Sequence, residues 1–321
     1  MDHDDVALPS LDEPRLIERL VSRGPYARLM RVETVASTNL ELQRALTGGA
    51  EGGRWPHLSV LTAEEQTGAL GRLSRSWSSP GGASLSTSVV LRPAWPAEML
   101  SWLSLLAGRS LVRVLREDHG LPAALKWPND VHVEGRKISG ILALAVPPTP
   151  GEGEGRPAVV LGCGVNVLLT EEQLPTEAST SLLLERERTG RGRLIPGTGE
   201  AAALRTDLLA GFLETFAEEL SRTEREFAEA EPTVPASSGA AALALRDRIA
   251  EVMDTLGLEV RLELPDGGAV RGWATELTTE GSLVVEVTHR RAAAEERWSP
   301  HRSGRIEFSA GDVVHLRRAN D

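Results

Sequence analysis

Residues 66–82 read Gln66-Thr67-Gly68-Ala69-Leu70-Gly71-Arg72-Leu73-Ser74-Arg75-Ser76-Trp77-Ser78-Ser79-Pro80-Gly81-Gly82. They join an apolar run at 58–63 to an alternating one at 83–91, both with strand character, so the stretch is an ordered crossing rather than a tail. Gly68 and Gly71 let a backbone come close to a ligand, while Arg72 and Arg75 bring positive charge that does not titrate away. That is the composition of an anion-binding loop. A mobile surface turn has the same glycine and serine content, so the loop acquires meaning only from its surroundings.

A chain of 321 residues with 41% hydrophobic content can fill one large core and a smaller one. A formal charge of -11 at pH 7 argues against a general nucleic-acid binder, because phosphate contacts need clustered lysine and arginine. Cys163 is the single cysteine, which excludes an internal disulfide; no Cys/His spacing suggests zinc, and a cytoplasmic location is expected. The opening Met1-Asp2-His3-Asp4-Asp5 is acidic where a signal peptide is basic, and no apolar run approaches the ~20 residues that span a bilayer. Neither secretion nor a membrane is expected.

Upstream of the loop, Ser10 and Glu13 have capping-box spacing ahead of a helix through Leu16, Leu20 and Val21, which Gly24-Pro25 stops. This arm, 1–28, is too short for a helix-turn-helix domain. A strand at 29–35 leads to Ser37-Thr38-Asn39, where Thr38 and Glu41 form a second capping box for a helix to Leu46. Downstream, 97–117 has the apolar spacing of one helical face and ends at Gly120. Lys126-Trp127-Pro128-Asn129-Asp130 then opens a hairpin with a Glu134-Gly135 turn. After a proline- and glycine-rich loop at 147–157, a buried strand at 158–167 carries Gly162-Cys163-Gly164; without a third glycine and a following helix this is no dinucleotide fingerprint. A flexible insert at 189–198 precedes a long helix with Leu204, Leu208, Phe212, Phe216 and Leu220 on one stripe, and helical character returns at 243–256. From Gly257 short alternating segments at 260–264, 269–277, 283–288, 305–308 and 313–316 have the pattern of a small barrel, and 290–305 reads as a charged hairpin insert.

The Ser-Thr-Asn triplet, the arginine loop and the hairpin from Lys126 to Lys137 are polar interruptions of an otherwise apolar sheet, and converging they would make one pocket. Hydroxyl and carboxamide groups of Ser37, Thr38 and Gln66 can read an amide-like head. A carboxylate brought against ATP needs its repulsion neutralised and its attack aligned, work for Lys137, Arg72 and Arg75 with Mg²⁺.

Seven motifs, in this order, resemble those of biotin protein ligases: Ser37-Thr38-Asn39; Ala63-Glu64-x-Gln66; Trp77-x-Ser79-Pro80-x-Gly82; Lys126-Trp127-Pro128-Asn129-Asp130; Lys137-Ile138-x-Gly140-Ile141-Leu142; Gly162-x-Gly164-x-Asn166-Val167; and Ala178-x-Thr180-Ser181-Leu182. The resemblance covers residues 30–185 closely, and the segment ending Ala310-Gly311-Asp312-Val313-Val314-His315-Leu316-Arg317 is similar to that family's small terminal barrel. It implies an α+β fold, with a central mixed sheet and packed helices over 29–256 and an SH3-like barrel over 257–321. It also implies that biotin and ATP form biotinyl-5'-AMP, from which biotin passes to a lysine of the biotin carboxyl carrier protein of acetyl-CoA carboxylase. Carried over by motif, Lys137, Arg72 and Asp130 would be catalytic. Ser37, Thr38, Asn39, Gln66, Leu70, Gly71, Arg72, Lys137 and Gly140 would hold biotin; Arg75, Trp77, Lys126, Asn129, Asn166 and Arg317 would border ATP and the adenylate. ATP and Mg²⁺ are the implied cofactors, with no DNA partner and a monomer or homodimer.

The family's loop reads Gly-Arg-Gly-Arg-x-Gly-Arg, whereas here Ala69-Leu70-Gly71-Arg72-Leu73-Ser74-Arg75 lacks one arginine and two glycines. Two other readings stay open: a lipoate-protein ligase, which shares fold and reaction type, and a non-catalytic protein that binds biotin or the carrier.

Overall fold

A computed structural model describes residues 8, 10–48, 54–71, 76–77, 79–147, 157–230, 235–293, 295–309 and 312–315. The chain begins with α1 (Glu13–Leu16), which continues as a π-helical turn, Ile17–Ser22. Its cap is Asp12, whose side chain accepts from the Arg15 amide at 3.0 Å, and not Ser10, because Asp12 stands directly before the first turn, three residues ahead of that donor. Then follow β1 (Arg28–Val35), α2 (Thr38–Thr47), β2 (Ser59–Gln66), a short ladder of β3 (Ala69–Leu70) with β4 (Ser76–Trp77), and β5 (Ser84–Leu91). α2 is capped by Ser37, whose hydroxyl accepts from the Leu40 amide. The expected Thr38–Glu41 capping box does not form, since the Thr38 side chain turns to the sheet instead.

Next come α3 (Trp102–Glu117), β6 (Ala123–Lys126), β7 (Asp130–Val133), β8 (Arg136–Val146), β9 (Ala158–Asn166), α4 (Leu182–Arg188), α5 (Gly199–Ala228) and α6 (Ala240–Ala250). The turn between β7 and β8 places Glu134 and Gly135 at φ 49 and 79, the left-handed pair that a two-residue hairpin requires. β1, β2 and β5 to β9 form one sheet in the order β1-β2-β5-β9-β8-β7-β6, in which β1 and β2 are parallel and the other pairs antiparallel. The sheet is mixed, as expected.

Alternation along these strands divides two cores. Leu61, Val90 and Val160 face α2, where they bury Leu42 and Leu46. Val60, Val89, Leu161, Cys163 and Val165 face the opposite side, into the larger core that takes in α3 and α5. On that side Glu64 is buried beside Arg205 of α5, whose guanidinium is 0% exposed and donates to Glu64 Oε2 at 2.7 Å and to the Ser84 carbonyl at 3.1 Å. Glu64 Oε1 also accepts from the Leu11 amide and from Arg31, so this one carboxylate fastens the N-terminal arm, β1 and α5 to the sheet.

The helix expected at 243–256 ends at Ala250. Its continuation runs along the sheet edge, where Leu125 N donates to Val252 O at 2.7 Å and Asp254 N donates to Leu125 O at 2.9 Å. A free edge left by β6 outweighs local helical character. Beyond it β10 (Glu259–Glu263), β11 (Ala269–Leu277), β12 (Leu283–Arg291), β13 (Ser299–Phe308) and β14 (Asp312–His315) form a five-stranded antiparallel sheet, ordered β13-β12-β11-β10-β14. The charged stretch from 290 is thus in large part ladder rather than a separate insert: β12 runs to Arg291, and β13 starts at Ser299. This small sheet is seated through its β11–β12 turn: Trp102 donates to Thr279 O at 2.9 Å and Trp127 to Gly281 O at 3.0 Å, so two buried indoles gain partners. Among the described residues no helix is long and apolar enough to cross a membrane.

Candidate active site

The polar residues converge on the α2 face of the large sheet, and strand register explains why. One row of paired residues crosses the strands as Lys126, Asp130, Gly140, Gly164 and Ser86. A second row, two residues along each of β8, β9 and β5, is Leu142, Gly162 and Ser88. Two residues of strand separate the rows by about 7 Å.

Over the second row lies the start of α2. Asn39 Nδ2 donates to the Leu142 carbonyl at 3.1 Å, and Ser88 Oγ lies 2.7 Å from both Asn39 Oδ1 and Thr38 Oγ1. A Cβ on Gly162 would stand 2.4 Å from Asn39 Oδ1, so only glycine lets Asn39 lie flat on the sheet. The Thr38 amide and hydroxyl both donate to Gln66 Oε1, at 2.8 and 3.1 Å, which turns the Gln66 Nε2 donor outward. The result is a polar corner of fixed donors and acceptors at the end of β2.

Over the first row lies Trp77. A Cβ on Gly164 would be 2.6 Å from its ring, and one on Gly140 would be 3.2 Å from Lys137 Nζ. The Gly-x-Gly of β9 is therefore a floor made bare for two side chains, one glycine for each row. Cys163, between them, points to the other face, where burial pushes its thiol up to about 12 and makes it an inert core residue. Lys137 Nζ sits 5.8 Å from the centroid of the Trp77 ring and 2.7 Å from Asp130 Oδ1. The two charged side chains keep 34% and 20% of their surfaces open, accessible to a ligand yet partly shielded. Trp77 Nε1 is buried without a hydrogen-bond partner among the described residues.

Lys137 reaches this face because of a bulge. Val131 pairs with Ser139 and His132 with Lys137, so the register skips Ile138. Ser139 faces the larger core, with its hydroxyl 3.6 Å from Cys163 Sγ, and simple alternation would send Lys137 there as well. The extra residue reverses it. Residues 178–180 then clamp Lys137: its amide donates to Ala178 O and its carbonyl accepts from Thr180 N, both at 2.8 Å. Asn166 Nδ2 holds the same segment through Thr180 O at 3.0 Å. The clamp is anchored by Glu185, fully buried, which takes Arg136 at 3.1 Å through both oxygens and also accepts from Arg188 and the Thr180 hydroxyl. Burial pushes the Glu185 carboxyl up, but those donors outweigh it and hold the group below the usual range.

The structure therefore brings together Thr38, Asn39, Gln66, Trp77, Lys126, Asp130, Lys137 and Gly140, with Ser37 as cap of the helix that carries two of them. Asn166 is buried against Thr180. Asn129 donates to the Ile141 carbonyl at 2.5 Å and lines a cavity of about 310 Å³ between the start of α3 and Gly281, which neither Lys137 nor Trp77 lines. Leu70 pairs with Ser76 through its backbone, with Gly71 next to it, whereas Arg72, Arg75 and Arg317 lie outside the described residues. Ser88 and Glu185 were not expected. Ser84, Ser86 and Ser88 place hydroxyls on one face of β5, a signal visible in the sequence; nothing local distinguishes Glu185 from an ordinary helix glutamate. Among the described residues no group of three or more His, Cys, Asp or Glu side chains could hold a metal ion.

Comparison with known proteins relates the chain to the biotin and lipoate protein ligases: the family model "Biotin/lipoate A/B protein ligase family" matches residues 34–166. The biotin–[acetyl-CoA-carboxylase] ligase of Mycobacterium tuberculosis is 32% identical over 315 residues, covering 96% of this chain and 97% of that protein. The structure of biotin protein ligase from Aquifex aeolicus in complex with biotin and ATP superposes with a TM-score of 0.61 at 25% identity, covering 91% of this chain and 100% of that one. The bifunctional ligase/repressor BirA of Bacillus subtilis is 34% identical over 122 residues, only 36% of its length. The chain belongs to the biotin protein ligase family.

Proposed function

We propose that the protein joins biotin to ATP as biotinyl-5'-AMP, with release of pyrophosphate, and then transfers biotin to a lysine of the biotin carboxyl carrier protein of acetyl-CoA carboxylase. The observation that carries this reading is the Lys137–Asp130 pair, set beside Trp77 over the Gly140–Gly164 floor, one row away from the polar corner of Thr38, Asn39 and Gln66.

The polar corner suits the ureido head of biotin, which has both N–H donors and a carbonyl acceptor. The carboxylate then lies toward Lys137. Attack of a carboxylate oxygen on the α-phosphorus of ATP brings two anions together, and Lys137, joined by Arg72 and Arg75, neutralises the charge as pyrophosphate leaves. Trp77 offers a ring face and a free indole N–H to the adenylate, which Lys126, Asn129, Asn166 and Arg317 would border. As Lys137 moves to the anions it releases Asp130. That carboxylate is then placed to accept a proton from the acceptor ammonium or from the attacking amine, whose nitrogen bonds to the acyl carbon while AMP departs. Mg²⁺, where it accompanies ATP, would add positive charge at the phosphates beside Lys137.

We further propose a catalytic unit ending near residue 256, with the five-stranded sheet that follows closing as an SH3-like barrel, and a cytoplasmic protein acting as monomer or homodimer. Biotin-dependent exchange of labelled pyrophosphate into ATP tests the activity. Label returns to ATP with biotin and not with lipoate; exchange driven by lipoate, or by neither acid, overturns the assignment.

A further inference from the structure

The row of residues containing Asp130 does not stop at Lys126. Leu125 pairs in parallel with Met253, and both side chains lie in the larger core. The next residue on each strand, Lys126 and Asp254, therefore turns to the opposite face, the face of the active site. Cross-strand neighbours on one face have Cβ atoms about 5 Å apart. The site thus carries four charges in alternation across four adjacent segments: Asp254, Lys126, Asp130 and Lys137.

We propose that Asp254 is a positioning residue that holds Lys126 away from Asp130, so that Asp130 pairs with Lys137 and Lys126 stays directed at the phosphates of ATP. This inference rests on the ligase reading above. Without Asp254, two ammonium groups compete for one carboxylate.

Three observations support it. Asp254 Oδ1 is buried with no hydrogen-bond partner among the described residues, and a backbone hydrogen bond at the carboxylate compensates only part of its burial. Lys126 is the charge that acts on Asp254, drawing its carboxyl down while the larger effect, burial, pushes it up to about 6. Backbone bonds fix the spacing: Asp254 N donates to Leu125 O at 2.9 Å, and Trp127 N donates to Thr255 Oγ1 at 3.0 Å, so both neighbours of Lys126 are tied to the segment carrying Asp254.

The test compares wild type, Asp254→Asn, Asp254→Glu, Lys126→Met and the double variant Asp254→Asn/Lys126→Met in pyrophosphate exchange. Asp254→Asn should raise the KM for ATP at least tenfold and leave that for biotin within twofold, and Asp254→Glu should recover most of the loss. The double variant should be no worse than Lys126→Met alone, because Asp254 acts only through Lys126. An unchanged KM for ATP in Asp254→Asn, or effects that multiply in the double variant, overturns the proposal. Titration of the Asp254 carboxyl by carbon-13 NMR supplies an arm independent of activity and of the folding of the Asn variant. Its midpoint should rise when Lys126 becomes Met, and an unmoved midpoint overturns the pairing. Wild-type protein inactive in exchange sinks the ligase reading instead, a result separate from either of these.

Discussion

Lys137 Nζ and Asp130 Oδ1 lie 2.7 Å apart on neighbouring strands, so the cation and the carboxylate of the site neutralise each other before any substrate arrives. This keeps two half-shielded charges from standing alone at the sheet surface, and it makes their separation a response to an incoming anion.

Replacement of Lys137 by Ala should lower the rate of biotin-dependent exchange about a hundredfold, the roughly 3 kcal/mol that one shielded charge contributes to a developing anion. Circular dichroism should be unchanged. A variant within threefold of wild type would remove Lys137 from the chemistry.

Gly162→Ala puts a methyl group 2.4 Å from Asn39 Oδ1, and the side chain must lift off the sheet. The KM for biotin should rise about tenfold, 1.4 kcal/mol of binding, with the KM for ATP changed less than threefold. Steady-state kinetics with each substrate varied separately decide it; parallel changes in both would show a general distortion instead of a local one.

Arg205→Met leaves Glu64 buried with Arg31 as its remaining guanidinium partner. Removing one member of a buried ion pair costs about 3–5 kcal/mol, so the urea midpoint should fall sharply. The loss should come with release of the N-terminal arm, which hydrogen exchange at Leu11 would report, because the Leu11 amide bonds to the same carboxylate.

Asp254 titrates in the opposite sense from a stabilising carboxylate. Its pKa is raised from 3.8 to about 6 in the fold, so its contribution to stability is fully present below about pH 4 and is lost as pH rises through 6. Above that range the buried charge destabilises by an amount of the order of 2–3 kcal/mol. Asp254→Asn should therefore melt higher than wild type at pH 7.5, with the two converging toward pH 4. A lower melting temperature for the Asn variant at pH 7.5 would contradict this account of the carboxyl.

Much of the architecture is local and was readable as such. The strands at 29–35, 83–91 and 158–167 and the turn at Glu134-Gly135 follow from alternation and turn chemistry, and the long helix after 199 follows from its apolar stripe. What depends on register was not readable. Nothing near Gly162 in the sequence says that it lies beneath Asn39, and nothing near Lys126 says that residues 252–255 run beside it. The same holds for the helix end: 243–256 keeps helical composition, but a vacant strand edge takes its last residues. Ser88 was legible in principle as one of three alternating serines, yet its role needed the partner strand and α2. Asp12 replaced Ser10 as cap because capping-box spacing is common and the geometry of one side chain selects among candidates.

The skipped residue at Ile138 means that β8 performs its task only at a fixed length. Losing one residue there would remove the bulge, straighten the strand beneath Lys137 and take Ile138 out of the core, while flattening the bulge with Ile138 kept would carry Lys137 to the apolar side of the sheet. Homologous chains that share the reaction should therefore tolerate exchanges of side-chain type along this strand while admitting no insertion or deletion between the lysine and the glycine three positions later.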